Sequence, residues 1–183
     1  ALFGNGTCGP HHTPVPLPAR IKGPDTGRTA MDFMDPDPVQ AVQGHLDFHP
    51  DGKALFVVNE LNHSLTACRW DPENGRLEEI NTALTVDASH EGMKYPAAVR
   101  VHPNGKFVYA STRGENSCIS VFRIAEDKSI ERIQIMEQVP FWPRDFNLDP
   151  TGRYLISAGE RSHDIRLYTV DPESGLLTES SAR

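Results

Sequence analysis

The chain has 183 residues, enough for one domain with a sizeable core. Its 38% hydrophobic and 23% charged content fit a soluble globular protein rather than a disordered one. A formal charge of −7, from 18 basic and 25 acidic side chains, argues against a general nucleic-acid surface, and no apolar run approaches the ~18–20 residues of a membrane helix.

In chain order, residues 1–42 read as an irregular Pro/Gly-rich arm. Pro10, Pro14, Pro16, Pro18, Pro24, Pro36 and Pro38, with interspersed glycines, defeat helices and central strands. A short element is expected only near residues 30–34. His11 and His12 are adjacent but have no further ligands around them, so no metal site is expected. The first residues lack a charged n-region followed by an apolar h-region, which predicts no signal peptide and a reducing cytoplasm as the compartment. Cys8, Cys68 and Cys118 are odd in number and widely spaced, without zinc-like pairs or a disulfide framework. Asn5-Gly6-Thr7 and Asn62-His63-Ser64 fit the glycosylation sequon, which matters only in a secreted protein.

From residue 43 the sequence repeats. His49-Pro50-Asp51-Gly52-Lys53, His102-Pro103-Asn104-Gly105-Lys106 and Asp149-Pro150-Thr151-Gly152-Arg153 are three copies of one turn, their glycines 53 and then 47 residues apart. The turn follows from its residues: proline fixes φ, Asp or Asn bonds its own backbone, and glycine accepts positive φ. Each turn follows an alternating strand, in which Leu46 and Phe48, Val99 and Val101, or Phe146 and Leu148 share one face. An apolar strand comes next (residues 55–58, 107–110 and 154–156), then a third strand (65–70, 119–124 and 165–170). The first and third copies continue with near-identical hairpins, Asp71-Pro72-Glu73-Asn74-Gly75 and Asp171-Pro172-Glu173-Ser174-Gly175. A fourth strand after that hairpin completes a four-stranded antiparallel unit of ~45–50 residues, the period of a β-propeller blade. The predicted fold is all-β, with blades near 43–92, 93–140 and 141–183. Known propellers close with ~4–8 blades, so either the arm supplies unusual strands or, as is favoured here, the three blades are part of a larger propeller. Open blade edges invite pairing between chains, and self-association is expected.

Candidate functional residues emerge at repeat-equivalent positions. Eight residues after each turn glycine stand Glu60, Arg113 and Glu160, just past an apolar strand and at one rim. They form either a structural ion-pair network or a polar pocket in which carboxylates and a guanidinium converge. Eight residues before the glycines stand Gly44, Ala97 and Arg144, and seven before stand His45, Ala98 and Asp145. His45 and His49 share a strand face but lie ~13 Å apart at strand rise, too far to chelate one metal. Near Glu60 and Arg113, His45 is a candidate orienting or acid–base group. Cys68 aligns with Val121 and Tyr168, and Cys118 with Leu65 and Ile165, so both read as buried thiols. The run Asp87-Ala88-Ser89-His90-Glu91 reads as a loop between blades. Serine-nucleophile, zincin and phosphate-loop motifs are absent from the sequence.

In combination, F-H-P-D-G-K-A-L-F-V-V-N-E-L-N, V-H-P-N-G-K-F-V-Y-A-S-T-R-G, P-R-D-F-N-L-D-P-T-G-R-Y-L-I-S-A-G and D-P-E-S-G-L-L resemble the propeller-type 6-phosphogluconolactonase family, which also contains carboxy-cis,cis-muconate cyclase. The resemblance spans residues 43–183. It implies a seven-bladed propeller and hydrolysis of 6-phosphogluconolactone, a pentose phosphate pathway step, without a metal or organic cofactor. The implied partner is a phosphorylated sugar lactone, with no nucleic acid and no membrane. It also implies a site at Glu60 and Arg113, with the arginine of P-R-x-F-N matched by Arg144. Local chemistry makes Glu60 the candidate base, Arg113 the oxyanion stabiliser and Arg144 the phosphate clamp, with His45 and Glu160 orienting these groups at the catalytic and substrate-binding positions. Where the family pattern reads P-R-H, this chain has Gln43-Gly44-His45, so the arginine is replaced by Gly44. A muconate-type cyclase, gripping carboxylates with two arginines, and a non-catalytic propeller scaffold are the alternatives.

Overall fold

The computed structural model describes residues 43–180. The arm, with Cys8, His11, His12 and the element expected near 30–34, lies outside the described residues. Among the described residues there are twelve strands and no helix. Blade 1 contains β1 (Gln43–Phe48), β2 (Ala54–Asn59), β3 (Ser64–Asp71) and β4 (Arg76–Leu84). Blade 2 contains β5 (Lys94–Val101), β6 (Phe107–Gly114), β7 (Cys118–Ile124) and β8 (Ile130–Met136). Blade 3 contains β9 (Asp145–Leu148), β10 (Tyr154–Ala158), β11 (Ile165–Val170) and β12 (Leu177–Glu179). Each blade is one antiparallel sheet with its strands in sequence order. The strands β1, β5 and β9 adjoin one another on the inner side of the stack, while β4 packs on β8 farther out.

The turn residues act as their chemistry dictates. Gly52, Gly105 and Gly152 have φ of 70°, 73° and 73°, and their N–H groups donate to His49, His102 and Asp149 carbonyls at 2.8–2.9 Å. Beyond each turn, alternate residues address different neighbours. Ala54, Phe56 and Val58 of β2 pack into one cluster with Val108 and Ala110 of β6. Phe107 and Tyr109 of β6 pack with Leu155 and Tyr168 of blade 3. Every blade therefore turns one set of side chains toward the following blade and the intervening set toward the preceding one.

Further polar contacts lock each seam. His49 Nε2 lies 2.9 Å from the Gly105 carbonyl, and His102 Nε2 lies 2.9 Å from the Gly152 carbonyl. A carbonyl only accepts, so each histidine donates from Nε2. The approach is close enough that a Cβ at Gly105 would stand 2.7 Å from His49 Nε2, and one at Gly152 would stand 2.5 Å from His102 Nε2. Glycine is thus required twice over at these turns, for positive φ and for room. At Gly52 nothing lies within 4 Å of that position, because no blade among the described residues precedes it. The outer strands are joined by side-chain amides. Asn81 of β4 exchanges two 2.9 Å hydrogen bonds with the backbone of Ile130, and Gln134 of β8 does the same with Leu177 at 2.8 and 2.9 Å. Lys128 Nζ meets Asp51 Oδ2 at 2.8 Å across the first seam. Partial burial acts to raise the Asp51 pKa, but bonds from Lys128, the Lys53 N–H and His49 outweigh it and hold the carboxyl below its ordinary range.

Leu46 and Phe48 share a face as expected and are 55% and 46% exposed, unlike Val99 and Phe146, which are buried. Their face is the one turned away from blade 2. One expectation needs correction: the cysteine alignments are one residue out. Cys68 lies opposite Leu55 as Phe122 lies opposite Val108 and Tyr168 opposite Leu155, so its counterpart is Phe122 rather than Val121. Cys118 lies opposite Thr112 as Ser64 lies opposite Asn59, so its counterpart is Ser64, and Leu65 and Ile165 correspond to Ile119. The cause is one extra residue between paired positions, since five residues separate Thr112 from its partner Cys118 and four separate Asn59 from Ser64.

At the other end of the stack, Tyr154, Ile156 and Ile165 are 36%, 46% and 74% exposed. Their counterparts Ala54, Phe56, Leu65, Phe107, Tyr109 and Ile119 are covered by the next blade. An uncovered apolar sheet face drives association, and replacing Ile156 and Ile165 by lysine is expected to shift the chain toward monomer in light scattering. At the seams, His102→Ala leaves the buried Gly152 carbonyl without its donor. It is expected to cost about 2 kcal/mol in urea unfolding, while Lys106→Ala, on the exposed side of the same turn, changes stability by less than about 0.5 kcal/mol.

Candidate functional site

The rim of the stack where β2, β6 and β10 end carries the repeat-equivalent charges. Glu60 follows β2 directly, Arg113 closes β6 one residue before Gly114, and Glu160 follows β10 by two residues. The apolar strands end there because the chain leaves the blade core, so a charge at this position reaches solvent while its stem stays fixed. Glu60 Oε1 accepts a hydrogen bond from Arg113 Nη2 at 2.7 Å, with the two side chains 25% and 11% exposed. Arg113 Nε donates to the Tyr95 carbonyl at 3.3 Å, which fixes the guanidinium plane. The pair crosses the seam between blades 1 and 2.

Glu160 does not join this pair. It lines a separate cleft of about 340 Å³ together with His45, Arg144, Asp145, Ala158 and Gly159. The cleft draws His45 from β1 of blade 1 and its other residues from around β9 and β10 of blade 3. Asp145 is already paired, its Oδ1 accepting from Arg100 Nη2 at 2.9 Å across the second seam. Arg144, His45 and the Glu160 carboxylate carry no hydrogen bond or ion pair among the described residues, and all three are exposed. The five candidates therefore fall into a closed pair, Glu60 with Arg113, and an open group, His45 with Arg144 and Glu160. Gly44 in β1, directly before His45, supplies no guanidinium.

Several residues that the repeat pattern did not single out shape this rim. The segment before Arg144 is pinned by Trp142, whose N–H donates to Ser117 Oγ at 3.0 Å and whose carbonyl accepts from Glu160 N at 3.1 Å. Trp142 has φ of 65°, unusual for a bulky residue. Its ring packs beside Tyr95 and Phe141 and lies 3.4 Å from the Arg161 guanidinium carbon, a cation–π contact. The sequence signal was the interruption of blade periodicity by Pro140-Phe141-Trp142-Pro143, but nothing in it forecast which side chains would meet.

Neither described cysteine belongs to this chemistry. Burial pushes the Cys68 thiol up to about 12, with the Glu79 charge adding to the effect. Burial likewise pushes Cys118 up to about 11, against the opposing hydrogen bonds of Thr112 and Ser120. No group of three or more His, Cys, Asp or Glu side chains is placed to hold a metal ion among the described residues.

Comparison with known proteins then places the fold. The family described as Lactonase, 7-bladed beta-propeller, matches residues 41–183. The chain belongs to this lactonase family. A 6-phosphogluconolactonase of Enterobacter sp. (strain 638) is 37% identical over 153 residues, covering 81% of the chain and 46% of the relative. The chain thus spans about half the length of that curated relative. A protein from Lactobacillus plantarum of known structure superposes with a TM-score of 0.74 at 30% identity, over 77% of this chain and 41% of the other. The periplasmic gluconolactonase of Pseudomonas aeruginosa superposes with a TM-score of 0.72 at 23% identity, over 77% of this chain and 39% of the other, and shows the shared fold. Three of the lactonase family's blades are therefore described here.

For the thiols the expected outcome is clear. In native protein at pH 7.5, iodoacetamide followed by peptide mass mapping should leave Cys68 and Cys118 unmodified, and both should react once urea unfolds the blades. Rapid labelling of either in the folded chain would contradict their placement.

Proposed function

We propose that this chain forms the lactone-hydrolysing part of a propeller enzyme, with 6-phosphogluconolactone as the substrate and 6-phosphogluconate as the product. The observation that carries the reading is the half-buried Glu60–Arg113 pair at the rim, in a chain 37% identical to a 6-phosphogluconolactonase. Opening a δ-lactone requires removal of a proton from water as it attacks C1, and stabilisation of the negative charge that develops on the carbonyl oxygen. Glu60 is the base in this scheme. One carboxylate oxygen is held by Arg113, which orients the group and leaves Oε2 to receive the proton. Arg113 in turn stabilises the oxyanion from the guanidinium edge not engaged with Glu60. The C1–ring-oxygen bond then breaks, and the ring oxygen leaves as a hydroxyl after taking the proton that Glu60 removed from water; His45 lies with Arg144 and Glu160 in the neighbouring cleft.

Arg144 binds the substrate phosphate in the same scheme. Its guanidinium is exposed in the cleft without a partner, and a planar fork suits phosphate oxygens. Glu160 shares that cleft and accepts substrate hydroxyls. The charge arrangement favours the phosphorylated lactone over a muconate-like dicarboxylate. A dicarboxylate would need two unpaired guanidinium groups, and Arg113 is already engaged by Glu60.

Spectrophotometric hydrolysis of 6-phosphogluconolactone, corrected for the spontaneous rate, tests the proposal. Glu60→Gln preserves shape and a hydrogen-bond acceptor for Arg113 but removes the base, and is expected to lower kcat by about 100-fold or more. Arg144→Met is expected to raise KM mainly, by about ten-fold. A well-folded chain with no rate above the spontaneous one would mean that these blades bind without hydrolysing.

A further inference from the structure

One buried network beneath the Glu60–Arg113 pair has no place in the scheme above. Thr85, in the linker after β4, is fully covered by its surroundings. Its N–H and its hydroxyl both donate to the His63 carbonyl, at 2.8 and 3.0 Å. Its hydroxyl accepts from Thr112 Oγ1 at 3.2 Å, and its carbonyl accepts from Ser120 Oγ. Thr112 is the residue directly before Arg113 in β6, and Ser120 lies beside it in β7. A single threonine therefore ties the β2–β3 turn of blade 1 to both middle strands of blade 2.

His63 is the point where that tie reaches Glu60. It adopts φ of 54°, the left-handed region that L residues rarely occupy, and its Nδ1 lies 3.2 Å from the Glu60 carbonyl. A carbonyl only accepts, so Nδ1 carries the proton and the imidazole donates. On the other side of Glu60, the buried Asn59 donates from Nδ2 to Ser64 Oγ at 3.0 Å and to Thr66 Oγ1 at 2.8 Å. The Glu60 backbone is thus clamped from both flanks before its carboxylate reaches Arg113. The charged groups facing His63 are Lys94 at the start of β5, whose ammonium donates to the His90 carbonyl at 2.7 Å, and His90 itself. Burial first, then the Lys94 charge, hold the His63 pKa below its ordinary value, while its contacts with the Glu60 and Lys94 backbones work the other way. The ring stays neutral near pH 7 and keeps a defined tautomer.

We propose that His63 is a positioning residue for the rim site: through the Glu60 carbonyl and through Thr85 it sets the Glu60 carboxylate in register with Arg113. The claim rests on Glu60 and Arg113 being the reacting pair, but its geometric half stands apart from any activity. Nothing requires histidine at this turn for folding, since the backbone needs only a residue tolerant of positive φ. The imidazole is what adds the hydrogen bond.

Two variants separate these contributions. His63→Gly accepts the φ and deletes the donor, whereas His63→Asn accepts the φ and restores an amide donor. The Arg113 Nη2–H resonance, on the nitrogen that donates to Glu60 Oε1, reports the ion pair directly by nitrogen-edited NMR, without any substrate. In His63→Gly that resonance is expected to move or broaden, with kcat lowered about ten-fold and KM changed by less than about two-fold. His63→Asn is expected to return both to near the wild-type values. An unmoved Arg113 signal in His63→Gly overturns the proposal whatever the enzyme does, as does a moved signal with unchanged kcat. Failure of His63→Asn to restore the signal removes the hydrogen bond as its cause. If the unsubstituted chain shows no hydrolysis while the signal behaves as expected, the positioning stands and the hydrolase reading falls.

Discussion

The seam between consecutive blades is the constraint on which the rest depends. A blade alone is a four-stranded sheet with two faces to cover, and it cannot bury both by itself. Here the covering is specific. Phe56 of one blade faces Val108 and Ala110 of the next, and Tyr109 faces Leu155. Each such aromatic is worth about 2–3 kcal/mol when fully buried. The glycine at each turn then lets the preceding histidine close on the carbonyl, and the side-chain amide of the outer strand closes the far edge. Inner turn and outer strand are thereby fastened at the same blade-to-blade spacing. Rotation of one blade against the next would break a hydrogen bond at one end or the other.

Every polar feature at the rim inherits that spacing. Glu60 and Arg113 sit on different blades, as do Arg100 and Asp145. The cleft that holds Arg144 takes His45 from blade 1 and its remaining residues from blade 3. None of these could be assembled within one sheet, because repeat-equivalent residues on a single blade occur once. A propeller turns repetition into a site by letting equivalent positions diverge in charge while the seams hold them at fixed separation. Position for position, Glu60, Arg113 and Glu160 show this: the same place in three blades, two signs of charge, and one ion pair.

How much of this was legible depends on whether a feature is local. The turns were readable because proline, Asp or Asn, and glycine act within five residues of one another, and the φ values of Gly52, Gly105 and Gly152 agree. The alternation after each turn was readable for the same reason. Burial of Cys68 and Cys118 was also readable, since both interrupt apolar strands, although their partners were displaced by a single extra residue between paired positions of β6 and β7. Pairing at the rim was not readable. The sequence offered an ion-pair network or an open pocket for the charges at this position, and the structure contains one of each, the pair across the first seam and the pocket between blades 1 and 3. Thr85, Tyr95 and Trp142 were invisible because their roles come from contacts made across 18 or more residues of chain, with no motif to mark them.

Charge balance at the rim decides what it can select. Glu60 and Arg113 neutralise each other at 2.7 Å, and Asp145 is compensated by Arg100. Among the cleft residues this leaves Arg144 facing Glu160 and a histidine. A second guanidinium at position 44 would have doubled the positive charge beside His45, and glycine stands there instead. In the proposed scheme, selection of an anionic substrate falls on Arg144. A single guanidinium gives bidentate geometry but limited attraction, so binding at the cleft is expected to weaken steeply with salt, as an exposed charge contact does. The Glu60–Arg113 pair, nine-tenths shielded on its arginine side, is screened far less. Ionic strength should consequently act on anion binding at Arg144 and leave the geometry of the Glu60–Arg113 pair almost untouched.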